Sequence, residues 1–97
     1  MKLVTVLLKN FDVKVVGEKK VTKYVFEAME TDLNGARIPT EIQTFNEDIK
    51  NKLIKYSNTP EPILLPFSSS NFYMGKSQYT VDSIILHPDF EVKGDND

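Results

Sequence analysis

The first sixteen residues, MKLVTVLLKNFDVKVV, alternate apolar and polar side chains and then change phase: Val4, Val6 and Leu8 fall on even positions, Phe11, Val13 and Val15 on odd ones. Alternation with a period of two buries one face of a strand. A single strand that keeps its apolar side inward across this change must therefore carry an extra residue, at about Lys9 or Asn10. Such a bulge bends the strand sharply. A long strand bent in its middle can pair with two neighbours and curl a sheet into a small barrel.

The rest of the chain reads as the other walls of that sheet. Gly17 and Glu18 make a turn, and Val21 to Thr31 form a second strand, with Tyr24, Phe26 and Ala28 on one face and Val25, Glu27 and Met29 on the other. Asp32, Leu33, Asn34 and Gly35 make a hairpin turn, because Asn-Gly readily takes the positive φ angles of a tight connection. Ala36 to Phe45 follow as strand three, in which Pro39 has no N–H to donate and belongs at an edge or a bulge. Asn46 caps the one clear helix. Glu47 and Asp48 complement the dipole in its first turn, and Ile49, Leu53 and Tyr56 share a face. Ser57 to Pro60 end it. Ile63 to Phe67 read as a short buried strand containing Pro66, and Ser68 to Ser70 as a flexible loop. Asn71 to Met74 and Ser77 to Leu86 complete the sheet, with Gly75 and Lys76 between them. The expected fold class is mainly β: a five-stranded OB-type barrel with one short helix between strands 3 and 4.

Charge divides the 97 residues in two. Residues 1–88 hold eleven Lys or Arg and ten Asp or Glu, net +1, whereas residues 89–97 hold four acids and one Lys, net −3. The expected organisation is a barrel domain over 1–88 and an acidic flexible tail over 89–97, since DFEVKGDND has too little apolar surface to offset its ordering entropy. Cysteine is absent, which excludes disulfides, thiolate metal sites and a Cys nucleophile. No apolar run approaches the roughly 20 residues of a membrane span, and the N-terminus lacks a signal-peptide pattern. The expectation is a cytoplasmic protein with no membrane partner. Lys outnumbers Arg eleven to one, as AT-rich codons would produce.

Enzymatic readings find little support. His87 is the only histidine and has neither a nucleophile nor a recognisable partner set, although Asp89 is close in sequence. A solvated strand face explains Glu27 and Glu30, and a helix first turn explains Glu47 and Asp48. Ser68, Ser69 and Ser70 lack the setting of a nucleophile elbow, and the four glycines form no phosphate cradle. No catalysis, no cofactor and no metal are expected.

In length, strand order, acidic end and segments such as FDVKVVGEK, KYVFEAMETD and EPILLPFSSSNFYMGK, the chain resembles small phage-encoded single-stranded-DNA-binding proteins of the OB fold, over roughly residues 3–90. The tail departs from that pattern by ending in GDND, without a terminal apolar residue. The resemblance implies sequence-independent binding of single-stranded DNA in phage or mobile-element replication or recombination. It also implies replication or recombination proteins met through the acidic tail, homo-oligomerisation, and the host cytoplasm as the setting. A barrel that holds single strands needs aromatic faces for bases and cations for phosphates. Tyr24, Phe45, Phe72, Tyr73 and Tyr79, interleaved with Lys23, Arg37 and Lys76, are the candidate nucleic-acid-binding residues, densest in FSSSNFYMGKSQY. Because Phe72 and Tyr73 are adjacent, only one of them is expected to face inward. The alternative is a small protein-interaction module, an adaptor or an inhibitor of a host protein, favoured by the near-neutral body. A single arginine argues against base-edge readout of duplex.

Overall fold

The computed structural model describes residues 2–32 and 34–82. The predicted tail, His87 and the far end of the predicted last strand lie outside the described residues. The first strand, β1 (Lys2–Val16), carries the predicted bulge. Leu8 faces Ala28 and Phe11 faces Phe26, so Lys9 and Asn10 together oppose the single residue Glu27. The extra residue returns Phe11 to the side on which Val4, Val6 and Leu8 are buried. The strand has two partners, and its pairing with β2 runs across the bulge. Its first residues, Lys2 to Val6, pair with β4 (Ile63–Phe67), and Val6 to Val16 pair with β2 (Val21–Thr31).

Strand β3 (Arg37–Thr44) follows β2 through a turn organised by Asp32, whose Oδ1 accepts from the N–H groups of Asn34 and Ala36 at 2.8 and 2.9 Å. Gly35 adopts φ 84° there, as the Asn-Gly pair predicts. β6 (Lys76–Thr80) runs parallel to β3 along Thr40 to Gln43, so Arg37 to Pro39 pair with β2 alone and Pro39 sits at an edge.

The sheet is a curled, barrel-like layer of six strands, ordered β4-β1-β2-β3-β6-β5, rather than the five expected. The reason lies at Ser68, the one residue separating β4 from β5 (Ser69–Tyr73). On one side of it the chain pairs with β1; on the other it pairs with β6. Ser69 and Ser70, expected in a loop, are strand residues because β6 supplies their backbone partners, and that pairing outweighs a weak side-chain preference. The turn between β5 and β6 is Met74–Gly75, not Gly75–Lys76, with φ of 52° and 81°. β6 ends at Thr80, and Val81 closes onto Gln43 through a backbone hydrogen bond of 2.9 Å.

Helix α1 (Glu47–Leu53) lies between β3 and β4, as expected, and Asn46 caps it by accepting from the N–H groups of Asp48 and Ile49. A 3-10 turn, Ile54–Tyr56, extends it. Ile49, Leu53 and Tyr56 join the core around Leu8, Phe26, Ile42, Ile63 and Leu65. The exit of this turn also secures the bulge. Asn58 N–H donates to the Leu8 carbonyl at 3.0 Å and Ser57 Oγ to that of Lys9, giving partners to carbonyls at the interruption in the ladder. Among the described residues, no helix is long and apolar enough to cross a membrane.

Candidate nucleic-acid interface

The side of the sheet facing away from the core carries the charge. Asp12, Lys14, Lys23, Glu41 and Gln78 alternate with core-facing neighbours on β1, β2, β3 and β6. Lys14 and Lys23 stand directly opposite each other across β1 and β2. Like charges in that position repel, and among the described residues no carboxylate pairs with either one. Lys76 on β6 stands opposite Tyr73 on β5. All of these residues except Asp12 converge on one open cleft of about 430 Å³, to which the turn residue Met74 also contributes. Glu41 and Gln78, partly buried on the neighbouring strands β3 and β6, form its floor, and Gln78 Nε2 donates to Glu41 Oε2 at 2.9 Å.

The turn that closes the cleft is strained. A two-residue connection with both φ angles positive matches the twist of the strands it joins, but a side chain such as that of Met pays in steric contact for the left-handed region. Met74 adopts it nevertheless and is 84% exposed beside Tyr73, which is 58% exposed. Two large apolar groups are thus held in solvent at the mouth of a cleft lined by three lysines.

Of the residues singled out from sequence, the structure brings Lys23, Tyr73 and Lys76 together in this cleft. It places the others elsewhere. Tyr24 lies on the core-facing side of β2, stacked on Phe11 at a centroid distance of 6.3 Å, with its hydroxyl donating to Glu47 at 3.4 Å and Lys50 Nζ 5.2 Å from its ring centre. Burial first, and then the Glu47 charge, raise the pKa of that hydroxyl. Tyr79 packs on the core against Phe67 and donates to Glu30 Oε1. Arg37 is exposed at the start of β3, opposite Thr31 and at the far end of the strand from Thr44. Phe45 is exposed just beyond β3 and is not part of the cleft lining. Phe72 is 71% exposed, so neither Phe72 nor Tyr73 faces inward: β5 is an edge strand whose five residues are all exposed.

The residues that sequence reasoning missed are Lys14, Glu41, Met74 and Gln78. Lys14 was within reach, because alternation counted from the bulge sends it outward with Asp12. Glu41 and Gln78 meet only through the parallel pairing of β3 with β6, which no local pattern encodes. Gln43, next along the same face, donates from Nε2 to Thr80 Oγ1 at 2.9 Å and keeps its Oε1 buried without a partner among the described residues. Among the described residues, no group of three His, Cys, Asp or Glu side chains is placed to hold a metal ion. Comparisons with family models, with curated proteins and with solved structures find no match to this chain.

Proposed function

We propose that the chain binds single-stranded nucleic acid, with single-stranded DNA as the ligand the resemblance implies, in the cleft between the β1–β2 turn and the β5–β6 turn. The observation that carries this reading is the convergence of Lys14, Lys23 and Lys76 beside the exposed ring of Tyr73. Cations follow the phosphates, while an exposed ring stacks on any base, because every base has a π face. The pairings support an OB-type barrel as well. If β4 and β5 are one strand broken at Ser68, the sheet has five strands: a meander, a parallel β3–β6 pair and a return to β1. In that architecture the face of the second and third strands, flanked by the first and last hairpin turns, is where oligonucleotides bind. Replication or recombination of a phage or mobile element is the setting that the resemblance implies.

Fluorescence polarisation with labelled oligo(dT) and matched duplex tests the reading. The single strand binds more tightly, and its affinity falls from low to physiological salt because the free-energy gain from releasing counterions at each phosphate contact shrinks as the bulk salt rises. Equal binding to both, or none at micromolar protein in low salt, rejects it. A second reading is favoured by Phe72, Tyr73 and Met74, which stand exposed in succession at one end of an edge strand. That is a surface for a protein partner, whose affinity would be nearly indifferent to salt.

A further inference from the structure

A carboxylate lies on the floor of a cleft lined by lysines. Glu41 Oε2 accepts from Gln78 Nε2 at 2.9 Å, and the two side chains stand opposite each other on β3 and β6. That hydrogen bond fixes both groups. It turns the amide nitrogen of Gln78 toward Glu41 and leaves the second carboxylate oxygen and the amide oxygen of Gln78 without partners among the described residues. Both residues line the cleft, so two acceptors, one of them charged, belong to the wall of a space that Lys14, Lys23 and Lys76 make attractive to anions.

A phosphate is repelled from such a floor and drawn to the lysines, so a bound strand lies with its backbone along the cations and its base edges toward Glu41. We propose that Glu41, oriented by Gln78, makes the cleft prefer bases that present an exocyclic amino group, cytosine over uracil or thymine; the proposal rests on the single-strand reading above. Cytosine offers N4–H₂ where uracil and thymine offer the O4 acceptor, and their N3–H is flanked by two carbonyl oxygens that a carboxylate repels. A hydrogen bond to an ionised acceptor is about twice as strong as a neutral one, so the remaining amide hydrogen of Gln78 does not compensate at O4. Binding still requires no defined sequence, and Glu41 grades it.

The test compares labelled oligo(dC) and oligo(dU) of about twelve nucleotides, within the footprint of one such barrel, by fluorescence polarisation near neutral pH and at low salt. Oligo(dC) binds about fivefold more tightly or better, the lower end of what one base-edge contact pair discriminates. E41Q brings the ratio to about one and keeps or tightens oligo(dU) binding, because a negative charge has left the cleft; Glu41→Ala is the second variant, with the same expected loss of ratio. Equal affinities in the unaltered protein, or a ratio that survives both substitutions, overturn the proposal while leaving single-strand binding intact. Binding to neither oligonucleotide overturns both.

Discussion

Phe67 and Tyr79 pack ring against ring, 4.7 Å between centroids and tilted by 59°, joining β4 at one end of the sheet order to β6 near the other. The Tyr79 hydroxyl then donates to Glu30 Oε1 on β2 at 2.7 Å. One side chain thereby ties three strands together across the interior of the curl. Burial first, and then the hydrogen bond and charge of Glu30, push its pKa from 10 to about 12.

Stability should therefore carry an alkaline signature. The folded state holds the Tyr79 proton more tightly than the unfolded chain does. The resulting stabilisation is full below the unfolded value of 10 and disappears as pH rises through the folded value of about 12. Tyr79→Phe keeps the ring contact, loses about 1 kcal/mol with the hydrogen bond at neutral pH, and shows a smaller decline in melting temperature over that alkaline window. Parallel declines in the two proteins would exclude the linkage.

Deleting Asn10 separates two roles of the bulge. The deletion turns Val4, Val6, Leu8, Phe11, Val13 and Val15 into one unbroken alternation, so a bulge that only kept phase would be dispensable. If instead its bend lets β1 serve both β4 and β2, and its carbonyls need Ser57 and Asn58, the deletion costs at least about 2 kcal/mol, two hydrogen bonds and part of the pairing. Urea denaturation of both proteins measures the difference.

The three cleft lysines should act as phosphate contacts and nothing more. Lys14→Ala, Lys23→Ala and Lys76→Ala each weaken oligo(dT) binding and each reduce the slope of log affinity against log salt by about 0.7, the value for one contact to a single strand. Lys50→Ala, whose ammonium lies over Tyr24 on the other face, leaves the slope unchanged. A slope that responds equally to all four would show diffuse attraction rather than a cleft.

Tyr73 should be the stacking residue. Tyr73→Ala loses about 1–3 kcal/mol of strand binding, Tyr73→Phe retains it, and neither moves the melting temperature much because the ring is exposed. Phe72→Ala, next to it but outside the cleft, leaves affinity as it was. The reverse result, with Phe72 sensitive and Tyr73 silent, would relocate the binding surface to the other side of β5.

What the sequence determined by itself was local. The phase change in the first strand required the bulge, Asn46 with two following carboxylates required a helix start, and Asp32 with Asn-Gly required the turn, because each depends on residues a few positions apart meeting backbone geometry. The mainly β class and the position of the helix followed from those signals. Tertiary structure decided which outward face became a cleft. Glu41 and Gln78 are 37 residues apart and meet only because β6 enters parallel to β3, and Ser68 divides a strand only because its two sides find different neighbours. It also assigned the aromatics: Tyr24 and Tyr79 to packing, Tyr73 to solvent beside the lysines. Alternation says which residues share a face; what covers that face depends on partners distant in the chain.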